Sequence, residues 1–318
     1  MLHYAVMTSA PPLSRDARLG AIEAGGTKIV VGIGTAGGRV IERAVLPTTL
    51  PEETLPAIAR WFAARAPVAA LGIASFGPVQ LDPAAADWGS ITATTKPGWS
   101  HTPFAPILRD ALGVPVGFDT DVNGAALGEA RWGAARGCAT AVYVTVGTGI
   151  GGGIVSNGAP HHGLTHPEMG HVRMPRHPHD AGFAGICPFH GDCLEGLASG
   201  PAIHARWGVP LSALDAGHPA HAVIAWYLGQ FVATIQAMLS PRRIVLGGGV
   251  LATPGLLARI RHEAAEAGQG YFPGAPEDII VAPGLGDNAG LCGALALAEA
   301  AWRAQAARGA MAATPPAP

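Results

Sequence analysis

The chain has 318 residues and a mass of 32.2 kDa, enough for two domains at about 150 residues each. It is 49% hydrophobic and only 13% charged, which excludes an intrinsically disordered protein, and its net charge of −2 leaves no electrostatic footprint for nucleic acid. Lys28 and Lys96 are the only lysines; the other cations are arginines.

In chain order, residues 1–18 are expected to be a disordered extension without a secretion signal. Leu19–Glu23, Lys28–Gly34 and Val40–Leu46 are short apolar runs broken by glycine turns and predict antiparallel strands. Leu55, Ile58, Trp61 and Phe62 give 51–65 helical spacing. A strand over Ala69–Ala74 ends in the turn Ser75-Phe76-Gly77-Pro78. A helix over Phe104–Leu112, a strand over Val114–Phe118 and a helix over Val122–Trp132 follow. Ala141–Val146, the turn Gly147–Gly152 and Gly153–Ser156 then repeat the opening hairpin pattern, since EAGGTKIVVGI at 23–33 resembles VTVGTGIGGGI at 144–154. Such repetition predicts two related domains offering backbone N–H groups to a shared cleft. Helices over His221–Leu239, Thr253–Ala267 and Asn288–Ala306 and strands over Arg243–Leu246 and Ile279–Val281 complete the reading, before a disordered tail at 311–318. No apolar run reaches the 18 residues that would suggest a membrane span, so no membrane partner is expected.

Three glycine turns are candidate phosphate cradles: Gly25-Gly26-Thr27-Lys28, Gly147–Gly152 and Gly247-Gly248-Gly249. Glycine removes the Cβ that would keep a phosphate from converging N–H groups. The G-x-G-x-x-G matches at Gly32 and Gly147 run into strands, so neither is a dinucleotide fingerprint, and no Walker sequence is present. A strand ending in Asp119-Thr120-Asp121-Val122-Asn123 directly before a helix places a carboxylate where it can take a proton from a hydroxyl attacking phosphorus. Helix capping is the competing duty for these side chains.

Seven of the 13 histidines lie between His161 and His190. Within that stretch Cys187, His190 and Cys193 form C-x₂-H-x₂-C, and one upstream His among His171, His177 and His179 completes a four-ligand structural zinc set. With only four cysteines, a disulfide scaffold is not expected, and the cytoplasm is the expected compartment.

Together, EAGGTK at 23–28, DTDVNGAALGE at 119–129, VTVGTGIGGGI at 144–154, HPEMGH at 166–171, CPFHGDCLEGLASGPA at 187–202 and GDNAGLCGA at 286–294 resemble the ROK family of the actin/hexokinase-like superfamily. The zinc-loop form and GSITATTKPGW at 89–99 are similar to its fructokinase branch. The resemblance implies an α/β, two-domain actin-like ATPase (ribonuclease H-like) fold with an interdomain cleft. It implies a small domain over 19–120, rejoined by helical residues at about 300–310, and a large domain over 121–299 carrying a zinc loop at 166–195. The implied activity is ATP-dependent phosphorylation of fructose at C6, with mannose, glucose or an N-acetylhexosamine as alternative substrates. A non-catalytic sugar sensor or repressor is disfavoured, since a DNA-binding module of about 60–80 residues has no room among the 19 residues before Gly20.

By resemblance, Asp121 is the general base. Glu168, Glu195 and Asn123 contact sugar hydroxyls, and Gly77 and Pro78 line the pocket. Gly25, Gly26, Thr27, Lys28, Thr148 and Gly149 surround the ATP phosphates, with Gly247 and Gly248 near the adenosine. His171 becomes the favoured fourth zinc ligand beside Cys187, His190 and Cys193. Glu23 stands where much of the family has Asp, and Thr120 where it often has Asn. ATP, Mg²⁺ and a structural Zn²⁺ are the implied cofactors, and a homodimer the implied assembly.

Overall fold

The computed structural model describes residues 13, 14 and 16–312. The expected N-terminal extension and the tail therefore lie largely outside the described residues. The chain divides into two units: residues up to Gly124 together with those from Gly290 onward, and Ala125–Ala289.

In the first unit, β1 (Arg18–Ala24), β2 (Lys28–Thr35) and β3 (Val40–Pro47) form an antiparallel meander. Helix α1 (Pro51–Ala63) leads to β4 (Leu71–Ser75), and α2 (Phe104–Leu112) leads to β5 (Val116–Thr120). β4 lies parallel to β1 and β5 parallel to β4, so the sheet order is β3-β2-β1-β4-β5. β1 and β2 are buried almost throughout, whereas β3, at the edge, exposes alternate residues. Ile22, Ile29 and Ile73 of the sheet pack with Ile58, Phe62 and Leu108 of the helices and with Trp99 of the β4–α2 connection. Helix α3 (Asp121–Trp132) begins directly after β5.

The second unit repeats this plan. β6 (Thr140–Val146), β7 (Ile150–Ser156) and β8 (Ala159–Pro160) are antiparallel neighbours. α4 (Leu194–Ala198), α5 (Gly200–Trp207) and α6 (Pro219–Leu239) precede β9 (Arg243–Gly247). α7 (Leu256–Gly268) and α8 (Pro276–Ile279) precede β10 (Ile280–Val281). β9 runs parallel to β6, and β10 parallel to β9. Read from β8, the order is β8-β7-β6-β9-β10, the first sheet's order again. The repeated glycine hairpin thus marks a repeated sheet.

The C-terminal helix α9 (Ala289–Ala312) belongs to the first unit from Gly290, ten residues earlier than the resemblance implies. Glycine explains the docking. A Cβ on Gly72 of β4 or Gly117 of β5 would collide with the carbonyls of Ala294 and Leu297, and one on Gly32 would stand 2.9 Å from the Leu291 side chain. Missing side chains across three strands thus let the helix lie directly on the sheet backbone.

Two further differences concern the second unit. β7 starts at Ile150, because Val146 pairs with Ile150 across a three-residue hairpin loop. Gly151–Gly153 are strand residues, and Gly152 leaves room for the Met169 side chain. α6 is, among the described residues, the one helix long and apolar enough to cross a membrane, with a mean hydropathy of 1.5. Over half of that stretch is buried in the second unit, where Ile224, Tyr227, Leu228 and Phe231 enter the core with Ile260 of α7. That burial describes a core helix.

Candidate active site and metal centre

The carboxylate group in the first unit is built by the turn from β5 into α3. Thr120 Oγ1 accepts the Asn123 N–H at 3.1 Å, the bond of a helix N-cap. Asp119, 2% exposed, accepts the Thr120 N–H and the Asn123 side-chain amide, both at 2.8 Å. The capping duty therefore falls to Thr120. Asp121, the first helical residue, is half-buried and accepts the Val122 N–H at 2.9 Å. Gly124 permits this placement, since a Cβ there would sit 2.6 Å from that of Ala74. Asn123 is fully buried; its side-chain N–H donates to Asp119, while its Oδ1 has no hydrogen-bond partner among the described residues.

In the β1–β2 hairpin of the same unit, Gly26, Thr27 and Lys28 are exposed. The Gly25 N–H donates to the Lys28 carbonyl at 2.9 Å. Thr48 braces the loop from β3: its hydroxyl donates to the Gly25 carbonyl at 2.8 Å and its N–H to the Thr27 carbonyl at 3.1 Å. Glu23 lies near the end of β1 against Gly290. β4 leaves alongside β1, with the Phe76 N–H on the Ala24 carbonyl at 2.7 Å, and continues into the cis Gly77–Pro78 bond. Gly77 is half-buried and Pro78 exposed.

In the second unit, the β6–β7 hairpin carries Thr148 and Gly149. The Gly200 N–H at the start of α5 donates to the Gly147 carbonyl at 2.8 Å. Glu195 Oε2 accepts the Ile150 N–H at 2.9 Å, and a Cβ on Gly149 would lie only 2.6 Å from that oxygen. Beside the hairpin lies a cavity of about 370 Å³ lined by Thr148, Gly200, Pro201, Leu211, Ser212 and Gly249, among others. Gly247 and Gly248 do not line it. Gly248 has φ +93°, and a Cβ there would collide with the Val146 backbone, so these glycines bring the end of β9 against β6. Pro201 and Ser212 were not foreseen from sequence, because the long run between the zinc loop and α6 carries no periodic signal.

Between β8 and α4, residues 161–193 hold two short 3₁₀ turns, Met169–His171 and Pro178–Asp180, and the isolated antiparallel bridges Arg173–Cys193 and Cys187–Gly191. Within them the ligand atoms of His171, Cys187, His190 and Cys193 lie within 4.8 Å of one another. His171 Nδ1 is 3.8 Å from Cys187 Sγ and 3.5 Å from Cys193 Sγ, and His190 Nδ1 is 3.6 Å from Cys187 Sγ. Tetrahedral zinc, with Zn–S near 2.3 Å and Zn–N near 2.0 Å, separates neighbouring S and N ligands by about 3.6 Å. The donor set and its spacing fit that ion. His177 and His179 lie elsewhere: the His179 N–H donates to His177 Nδ1, and His177 packs edge-on against Trp226. Burial pushes the Cys193 thiol up to about 11.

The two remaining acidic candidates flank this centre. Glu168 directly precedes the turn that holds His171, and its Oε2 is 4.0 Å from His171 Nε2. Its Oε1 is 3.4 Å from His166 Nδ1, and half of its side chain is exposed. Glu195 stands two residues after Cys193, in the first turn of α4. Gly170 seats the Glu168 turn on β7, where a Cβ would strike the Ile150 carbonyl. Both acids and the hairpin are therefore tied to one strand, β7.

An acidic residue that sequence reasoning missed is Glu129 of α3. It is completely buried, and its carboxylate accepts N–H bonds from Ala134 at 2.6 Å, Gly284 at 3.0 Å and Leu285 at 2.9 Å. It ties the segment after β10 to the helix that carries Asp121 at its start.

Compared with protein families, residues 19–301 match the ROK family. The chain is 50% identical over 290 residues to the fructokinase of Zymomonas mobilis, an alignment covering 89% of this chain and 96% of that one. Among solved structures it is similar to a ROK hexokinase from Thermus thermophilus, with a TM-score of 0.73, 30% identity, and coverage of 88% of this chain and 97% of that one. It is also similar to a ROK family glucokinase from Streptomyces griseus in complex with glucose and AMPPNP. That TM-score is 0.72 at 26% identity, covering 89% of this chain and 100% of that one.

Proposed function

The chain belongs to the ROK family, and from that premise we propose that it is a fructokinase, transferring the γ-phosphoryl group of ATP to the C6 hydroxyl of fructose. The half-exposed Asp121 carboxylate, relieved of capping by Thr120, carries the mechanism. In this reading it accepts the proton as the sugar oxygen attacks phosphorus, and Asp119 and Asn123 hold its turn in place. Thr148 and Gly149, with the Gly25–Lys28 hairpin, offer N–H groups to the phosphates, and the cavity beside Thr148 suits the adenosine. Glu168 and Glu195 bind sugar hydroxyls, with Gly77 and Pro78 lining the sugar's surroundings.

Mg²⁺, when bound, neutralises charge on the triphosphate, and Glu23 is the carboxylate beside the hairpin suited to hold it. Zinc held by His171, Cys187, His190 and Cys193 has a structural role, because four protein ligands leave no open position for chemistry. It fixes the segment on which Glu168 and Glu195 are mounted. Family membership further supports a cytoplasmic homodimer, and the net charge of −2 gives no reason to invoke nucleic acid.

Fructose is preferred over mannose, glucose and N-acetylhexosamines because similarity is greater to a fructokinase than to a hexokinase or a glucokinase. A coupled ADP-release assay across fructose, mannose, glucose and N-acetylmannosamine tests this. The highest kcat/KM is expected for fructose; a higher value for another sugar would reassign the substrate.

A further inference from the structure

The segment Gly89–Trp99 has no role in the reaction as described, yet it holds Lys96, one of only two lysines in the chain. Its last four residues, Lys96-Pro97-Gly98-Trp99, form a tight turn in which the Trp99 N–H donates to the Lys96 carbonyl at 3.2 Å. Proline at the second position and glycine at the third, with φ +78°, are the residues a type II turn requires. Gly98 also lets the turn press on Leu50, with a Cβ there falling 3.0 Å from Leu50 Cδ2.

The turn grips two successive carbonyls just after β3. Lys96 Nζ donates to the Thr48 carbonyl at 3.1 Å, and the Trp99 indole N–H donates to the Thr49 carbonyl at 2.7 Å. Trp99 is fully buried, packed edge-on against Phe76 and Phe104, so the turn is anchored in the core. Thr48 in turn bonds to Gly25 and Thr27 of the glycine hairpin. The bracing also reaches back toward Gly77 and Pro78, because Thr92 of the same segment donates its N–H to the Pro78 carbonyl at 2.8 Å. Lys28 closes that hairpin through its backbone carbonyl, which accepts the Gly25 N–H; of the two lysines, Lys96 is the one whose ammonium braces the loop. A compact ammonium can reach a single carbonyl where a planar guanidinium fork would need more room.

We propose that Lys96 is a positioning residue for nucleotide binding: acting through Thr48, it holds the Gly25–Lys28 hairpin in the form that receives the terminal phosphates of ATP. This rests on the assignment of that hairpin to phosphate binding. Glycine-rich loops lose much freedom when ordered, so a loop braced in advance binds more tightly than one ordered by its ligand.

The test measures the affinity of a non-hydrolysable ATP analogue by titration calorimetry for wild type, Lys96→Met, Thr48→Val and the double variant, alongside KM for ATP and for fructose. Lys96→Met is expected to weaken analogue binding and raise KM for ATP by about tenfold, the scale of one charge-assisted hydrogen bond, with KM for fructose changed by less than about twofold. Thr48→Val is expected to act in the same direction, and the double variant to be little worse than Lys96→Met, because the two residues form one chain of bonds. Unchanged analogue affinity in Lys96→Met, equal shifts in both KM values, or full additivity would overturn the proposal. If Lys96→Met does not fold, Thr48→Val alone decides by the same criterion. The calorimetric result does not depend on which sugar is phosphorylated, so an error in the substrate assignment would leave it interpretable.

Discussion

Asp119, Thr120, Asp121 and Asn123 lie within five consecutive positions, and each does something different. The sequence makes a carboxylate before a helix visible but does not divide the labour, because every one of these side chains can cap. The division follows from tertiary burial: Asp119 faces inward and binds backbone and amide donors, Thr120 caps, and Asp121 is left half-exposed. Glu129 shows the opposite case. In a sequence it looks like an ordinary charged helical residue, and its partners Gly284 and Leu285 lie 155 and 156 residues away. Nothing local announces such a contact. Replacing Glu129 with Ala leaves three N–H groups without their acceptor in a buried site, and a loss of about 3–5 kcal/mol of stability is expected by denaturant titration. A loss below about 1 kcal/mol would mean that water or rearranged backbone satisfies those donors equally well.

At the level of elements, the strands and long helices were legible because their apolar residues alternate or recur at helical spacing. The glycine turns were visible too, but glycine serves several purposes, and sequence alone does not separate them. Gly149 makes room for Glu195, Gly152 for Met169, and Gly72 and Gly117 for α9. Three of the candidate zinc ligands announce themselves as a C-x₂-H-x₂-C pattern, while spacing alone leaves the fourth open among His171, His177 and His179; the family resemblance favours His171, the histidine that the structure brings beside the other three. Residues 161–193 form a long segment with little regular structure, which a small apolar contact area would not hold unaided. Asp180 contributes to the anchoring through Arg206 at 2.6 Å and Tyr227 at 2.8 Å. Metal should supply the rest. One zinc per chain is expected by elemental analysis of the purified protein. Chelation or Cys193→Ser should remove it, lower Tm, and weaken fructose binding through Glu168 and Glu195. A metal-free protein with unchanged Tm and unchanged fructose affinity would contradict the structural role.

On the scale of the whole molecule, two units with the same strand order carry different parts of the proposed site. Asp121 and the braced hairpin at Gly25–Lys28 lie in the first; Glu168, Glu195, the Thr148 hairpin and its adjoining cavity lie in the second. The internal repeat was legible because both hairpins kept their glycines. The point at which the chain returns to the first unit was not, since α9 docks through missing side chains on β2, β4 and β5, which leave no pattern on the helix itself. In the proposed reaction, the decisive step is removal of the sugar proton by Asp121. The most direct measurement compares Asp121→Asn with wild type for fructose turnover and for fructose affinity. A fall in kcat of about 10²–10⁴ with fructose affinity largely retained is the predicted result. Turnover close to wild type would contradict it.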